Sequence, residues 1–575
     1  MSSDRQPAGR YDVAILGGGL AGLTLGLQLK HARPETSIFI AEKRPGTAPE
    51  AAFKVGESTQ EIACNYFGEV LGLMEHMETQ QVRKCGLRFW FPAADNSNLA
   101  ERIERGPRAH APVPSWQFDR GRFENYLGQQ NDAAGIDLFP GSFITDVEVG
   151  DPHRVTIIRG GPGGQESTIQ ARWLIDASGR SFILKRKLGL LEANGHMVNS
   201  AWFRLAGGLD IEDWADPGDD DFFNRMSERG LRQFSTNHLC GKGYWVWMIP
   251  LASGPISIGI VADENFHSWD RMDTLEKALD WIREYEPQLG QSLDGRRDQI
   301  EDFLKVENFS YGCQQEFSGS DRWCLVGEAG PFLDPFYSPG SDFIAFSNTF
   351  STDLVTRELS GEDITERAAA HNDFFLNCYR VHLTLYEDQY VFWDNPMVMN
   401  VKISANNIYY WGCLGLLFFH RKLTDLELME AVRPDVERMW TITRRLEAMF
   451  REWHQLESRE WRRAMVPTQD FPAMFDRHKD MIAGFDDEQL KERMAANADL
   501  LEAYAVLAFN RAARNLGDAA PGEDQRIDPS AISLDPSRWE ADGLFSASGM
   551  TIAEARESPA GAMENLFMEA IAQPA

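Results

Sequence analysis

The sequence predicts an α/β fold: a Rossmann-like dinucleotide-binding core, a β-sheet layer interleaved with it, and a C-terminal helical extension. Three observations carry this. A strand, a glycine-rich turn and a helix follow one another near the N-terminus. Apolar residues alternate with a period of two in the middle of the chain. From about residue 355 onward they recur at helical spacing.

The first element, YDVAILG (11–17), is a continuous apolar run, as a parallel strand buried on both faces requires. It opens into GGGLAG, which sets Gly17, Gly19 and Gly22 at G-x-G-x-x-G spacing, with Leu20 and Ala21 starting a helix whose N-terminus favours phosphate. TSIFIAEKR (36–44) is a second strand ending at Glu42 and Lys43, where a carboxylate is placed to take ribose hydroxyls. ARWLIDASGRS (171–181), with Asp176, reads as a strand entering a glycine turn. DRWCLVGEAGPFLDPFYSPGSDF (321–343) reads as a further strand followed by a Pro/Gly turn and a helix, with Glu328 and Asp334 as acids within it. These two stretches fit the later parts of a split dinucleotide fold.

Between them, in GYWVWMIPLASGPISIGIVAD (243–263), Trp245, Trp247 and Ile249 share one face and Ile256, Ile258 and Ile260 repeat the pattern, as expected of a substrate-side sheet. VERMWTITRRLEAMFREWHQLESREWRRAM (436–465) is a long amphipathic helical run. LGDAAPGEDQRIDPS (516–530) reads as a linker, and the last residues read either as a short terminal helix or as a loose end. The expected units are therefore residues 1–355 (core and interleaved sheet), 356–515 (helical extension) and 516–575 (linker and C-terminal segment).

The net charge of -30, from 87 acidic and 57 basic side chains, argues against nucleic acid and anionic membrane surfaces as partners. Seven dispersed cysteines without a CxxC pair fit thiols in a reducing, cytoplasmic compartment and give no metal pattern. The N-terminus lacks the layout of a signal peptide, and IYYWGCLGLLFF (408–419) is too short to span a bilayer.

GGGLAG, VGEST (55–59), the lysine of RKCGLRFWF (83–91), WVWMIP (245–250) and DPFYSPGSDF (334–343) occur in the order found in flavin-dependent halogenases, and residues 11–355 resemble that family. Its fold is that of FAD-dependent aromatic hydroxylases. The most specific match is Trp245, Trp247, Ile249 and Pro250 in W-x-W-x-I-P. The resemblance implies FAD used as FADH2, reducing equivalents from a separate flavin reductase, and oxidation of chloride or bromide to hypohalous acid. A lysine then delivers the halogen to an electron-rich small aromatic or carrier-bound substrate.

On that resemblance Lys84 is the catalytic lysine. Cofactor contacts are expected from the glycine turn, Glu42, Lys43, Lys54, Gly56, Glu57, Ser58, Arg122, Asp176, Glu328 and Asp334. The amides of Gly340 and Ser341 are expected to hold halide, since Pro339 has no N–H. Trp245, Trp247, Ile249, Pro250 and Tyr337 are expected to shape the site. In KCGLRFWF, read as one strand, Lys84, Gly86 and Arg88 share a face. Tyr337 stands where tryptophan halogenases carry a glutamate, which points to phenol- or pyrrole-type substrates or to carrier-bound ones. Tyr409, Tyr410, Trp411, Phe418 and Phe419 either roof the substrate cavity or pack as core. A monooxygenase or reductase of the same fold, and a non-catalytic flavin-binding protein, are the alternatives.

Overall fold

A computed structural model describes residues 7–50, 55–161, 163–457, 459, 461–468 and 471–572. Lys54 lies outside the described residues.

The strand Arg10–Leu16 forms the centre of an eight-stranded sheet, parallel to Gln165–Asp176 on one side and Ile38–Glu42 on the other. Trp323–Leu325 and Asp137–Pro140 continue the parallel order outward. Both faces are covered, which is why the first strand is apolar without alternation: Val13 and Ile15 enter one core cluster, Ala14 and Leu16 another. The helix Leu20–Ala32 packs beside the late helix Gly340–Leu359, whose Asn348 Nδ2 donates to Ala21 O at 3.1 Å and to Thr24 Oγ1 at 3.0 Å. The C-terminal half of the core thus closes onto the N-terminal glycine turn.

The second sheet also has eight strands, in the order Leu304–Val306, Val198–Leu205, Ile256–Asp263, Tyr244–Pro250, Thr236–Gly241, Leu87–Phe91, Ile103–Gly106 and Met465–Pro467. Trp245, Trp247 and Ile249 turn to the larger core, while Val246, Met248, Ile256, Ile258 and Ile260 turn to a separate cluster on the other face. The two alternating runs therefore line opposite faces of one sheet.

Two expectations need correction. KCGLRFWF is not one strand. Val82–Lys84 pairs with Ser115–Gln117 in a ribbon of its own, and Leu87–Phe91 belongs to the second sheet. Gly86 breaks the run with a φ of +64°, so Lys84 and Arg88 do not share a face. Lys84 reaches Ser58, whereas Arg88 is paired with buried Glu104. The helical run expected through residue 465 ends at Trp453, and Met465–Pro467 pairs in parallel with Ile103–Gly106. This strand ties the C-terminal region into the sheet that carries the site.

Most of that region is helical, including Thr365–Thr384, Pro396–Tyr409, Leu426–Trp453 and Asp487–Ala513. Pro396–Tyr409 runs through a π-helical turn, Tyr410–Gly415, into Leu416–Phe419. The stretch read as a linker holds a bridge from Ile527 to Phe545 and Met550, and helices Ile552–Glu557 and Pro559–Ala572 follow. Among the described residues no helix is long and apolar enough to cross a membrane.

Candidate active site

At the glycine turn, Gly22 packs so closely that a Cβ there would lie 2.0 Å from Gly17 O. Gly19, the N-cap of the helix, faces open space. That helix start has no side-chain cap and no acid in its first turn, so its free N–H groups are available to an anion. Glu42 accepts from Gly18 N at 2.9 Å and from Arg44 N at 2.8 Å, closing the turn against the second strand. Lys43 is exposed. The open helix start and the adjacent acid fit the pyrophosphate and ribose of a dinucleotide.

A cavity opens between one face of the second sheet and the loops around residues 55–58 and 327–341. Ser58, His238, Trp245, Trp247, Asp334 and the turn Ser338–Ser341 are among its walls. Gly56, Glu57, Ile249 and Glu328 also line it, whereas Pro250 does not. Trp245 and Trp247 stand with ring centroids 5.8 Å apart. Trp245 Nε1 donates to the Tyr390 hydroxyl, which donates to Asp334 at 2.5 Å; His196 Nε2 lies 2.8 Å from the same carboxylate oxygen. Asp334 is thereby fixed from several sides. Burial drives the pKa of His238 down to about 3, so this ring is a neutral wall rather than a cation.

Gly340 and Ser341 begin a helix with no side-chain cap. An acid in that first turn would oppose an anion. Burial, however, pushes Asp342 up to about 8, and its carboxyl accepts from Ala63 N and from the Tyr410 hydroxyl, both at 2.9 Å. At neutral pH it is uncharged, and the helix start keeps its positive end.

Neither Arg122 nor Asp176 lines the cavity. Arg120, and not Arg122, lines it, donating to Val55 O at 2.6 Å and Gly56 O at 3.2 Å. Arg122 instead binds Gln80 O and Glu50. Both Asp176 oxygens are taken by backbone N–H groups, of Ser178 at 2.9 Å and Leu184 at 2.7 Å. Asp176 shapes a turn rather than facing the cavity.

Lys84 is 2% exposed. Its ammonium donates to Ser58 Oγ and Thr59 O, each at 2.8 Å, and lies 3.5 Å from Gln60 Oε1. Ser58 also receives the Ser338 hydroxyl at 2.9 Å, and Ser338 sits in a left-handed conformation with a φ of +56°. Burial lowers the Lys84 pKa to about 8, and nearby Glu61 resists that drop.

Gln60 and Glu61 border a second cavity on the far side, together with Tyr337, Tyr386, Tyr410, Trp411 and His478. Lys84 thus lies where the walls of the two cavities meet: Ser58 belongs to the first and Gln60 to the second. Tyr337 faces the second, its hydroxyl receiving Asn406 Nδ2 at 3.2 Å. Of the five aromatics with two readings, Tyr409, Tyr410 and Trp411 line this cavity. Phe418 packs in the core on Tyr66 and Phe346. The sequence reading missed Arg120, Ser338, Glu61 and His478. Only Ser338, inside the DPFYSPGSDF turn, carries a local signal.

Residues 10–254 match the family model described as FAD binding domain. The chain is 24% identical over 448 residues to "Flavin-dependent halogenase chlA" of Dictyostelium discoideum, covering 70% of each chain. It is 27% identical over 389 residues to the "1H-pyrrole-2-carbonyl-[peptidyl-carrier protein] chlorinase" of Pseudomonas fluorescens, covering 63% of this chain and 77% of the relative. The structure of halogenase PltM in complex with phloroglucinol and FAD shares the fold, with a TM-score of 0.58 and 16% identity over 86% of this chain and 96% of that one.

Proposed function

The chain is homologous to the flavin-dependent halogenases, and on that premise we propose that it halogenates an electron-rich phenol, pyrrole or carrier-bound substrate through Lys84. The observation that carries this is the burial of one ammonium where two cavity walls meet, hydrogen-bonded to a residue of each.

The chemistry that bound FADH2 supplies is the oxidation of chloride or bromide by dioxygen to hypohalous acid. The helix start at Gly19–Leu20 and the Glu42 carboxylate would hold the dinucleotide. Gly56, Glu57, Arg120, Glu328 and Asp334 would border the flavin end. The amides of Gly340 and Ser341 would hold halide at an uncapped helix start. Trp245 and Trp247 keep bulky organic molecules out of the first cavity. The Lys84 ammonium receives hypohalous acid, polarises it by hydrogen bonding and delivers the halogen into the second cavity. With one G-x-G-x-x-G in the sequence, reduction is assigned to a separate flavin reductase.

The test uses purified protein with FAD, a flavin reductase, NADH and bromide, offered phenols, pyrroles and indoles, with products read by bromine isotope pattern. Wild type brominates part of the panel. Lys84→Ala makes no brominated product yet still releases hypobromous acid, trapped as taurine bromamine. Full bromination by Lys84→Ala, or hydroxylated product without halide, refutes the proposal.

A further inference from the structure

The second cavity carries polar atoms that the delivery of halogen leaves unused. Glu61, the first residue of the helix Glu61–Asn65, and His478, in the helix Pro472–Asp480, meet across its wall, with His478 Nε2 3.3 Å from Glu61 Oε1. Each is less than a tenth exposed. Burial acts to raise the Glu61 carboxyl, but the hydrogen bond from His478, with Lys84 nearby, leaves it below its usual value. It is a carboxylate, so the Nε2 that faces it carries the proton. In the neutral imidazole Nδ1 is then left as an acceptor, and among the described residues it has no partner.

Trp411 packs edge-on against the same imidazole, ring centroids 4.5 Å apart at 81°. Its indole N–H is also buried and has no partner among the described residues. Trp411 is placed there by the π-helical turn Tyr410–Gly415, a distortion frequent at functional sites. A buried donor and a buried acceptor on two rings in contact, both left open, each cost free energy unless something binds them. One hydroxyl group satisfies both: its proton goes to Nδ1 and its oxygen accepts from the indole. The rest of the cavity offers Leu87, Phe89 and Ile403 to an aromatic ring.

We propose that His478, oriented by Glu61, is the general base that takes the proton of a phenolic substrate, and that Trp411 anchors the phenol oxygen. This rests on the halogenase reading above and narrows the substrate class to phenols. As the O–H bond breaks, its proton passes to His478 Nδ1 and its electron pair enters the ring. A ring carbon bonds to halogen while the halogen–oxygen bond of hypohalous acid breaks. That pair leaves on oxygen, which takes a proton from the Lys84 ammonium and departs as water. The ring C–H proton returns to the Lys84 amine, and His478 returns its proton to the phenolate oxygen. The sum is phenol plus hypohalous acid giving halophenol plus water.

The experiment compares wild type with His478→Phe, His478→Gln, Glu61→Gln and Trp411→Phe, all FAD-loaded. The probes are 1,3,5-trihydroxybenzene, 1,3,5-trimethoxybenzene and N-methylpyrrole. Both His478 variants are expected to lose about 100-fold in kcat/KM for the phenol and to change by less than about 3-fold for the two probes without a hydroxyl. Glu61→Gln lowers kcat more than it changes KM; Trp411→Phe mainly raises KM. By calorimetry, wild type binds the phenol at least about 10-fold tighter than the ether, a preference that His478→Phe abolishes.

Equal losses on all three probes, or no binding preference in wild type, overturn the proposal. Loss of hypobromous acid trapped by taurine from wild type would instead overturn the halogenase reading. The calorimetric arm judges the hydroxyl site independently of turnover.

Discussion

The Lys84 ammonium donates to the Ser58 hydroxyl at 2.8 Å, and the same oxygen receives the Ser338 hydroxyl at 2.9 Å. Ser58 therefore joins the halide-side turn to the amine that also reaches Gln60, on the wall of the second cavity. Replacing it with alanine removes one acceptor from a buried ammonium, a change worth about 1–3 kcal/mol. Ser58→Ala should lower kcat for halogenation about 10-fold, with taurine-trapped hypobromous acid unchanged, and Ser58→Thr should restore most of it. Steady-state kinetics with both readouts checks this.

Lys84 also sets a pH signature on stability. Its pKa falls from 10.5 in the unfolded chain to about 8 when folded, because burial disfavours the ammonium. Between those values the unfolded state holds more protons, so this group makes stability rise with pH from about 8 to about 10.5. Below pH 8 the penalty is fully present, on the order of 3 kcal/mol. Lys84→Met should therefore be more stable than wild type at pH 7, with the difference shrinking as pH rises through that window. Urea unfolding at several pH values measures it; a difference independent of pH would rule out the buried ammonium as its source.

Gly22 leaves no room for a side chain, since its Cβ would meet Gly17 O at 2.0 Å and Ile15 Cγ2 at 3.1 Å. Gly22→Ala must open the turn at the helix start that faces the phosphates. FAD affinity should fall at least about 10-fold, read by quenching of flavin fluorescence on titration.

Tyr337 is the position where the resemblance leads one to expect the glutamate of tryptophan halogenases, and among the described residues its hydroxyl is bound by Asn406. Tyr337→Phe leaves that amide one acceptor short, at a cost of about 1 kcal/mol. Halogenation should stay within about 5-fold of wild type. A dead variant with unchanged melting temperature would give the hydroxyl a chemical role.

These expectations divide along the line between local and distant information. The glycine turn and the tryptophan alternation are readable because their physics acts within a few residues: a close helix–strand approach, a period of two. Lys84 is singled out by pattern alone, and a single-strand reading of its run misplaces its side chain. Gly86 sits in view inside that run, and a glycine within a strand is a signal for a break. Nothing local pairs Glu61 with His478, which are joined only when the C-terminal helices close over the sheet. The same holds for Met465–Pro467, whose three residues become a strand because Ile103–Gly106 offers a free edge.

Arg120 and Arg122 show how a shift of two residues changes a site. They open the helix Arg120–Ala133, and two helical positions differ by about 200° around the axis, so only one can face the cavity. Arg120 does so and clamps the carbonyls of Val55 and Gly56, holding the loop that leads to Ser58. Arg122 is turned to Glu50, an exposed partner whose pairing contributes little. Arg120→Ala should release that loop and weaken FAD binding about 10-fold, whereas Arg122→Ala should stay within about 2-fold of wild type. Fluorescence titrations of both variants decide between them, and the reverse ranking would return the cofactor contact to Arg122.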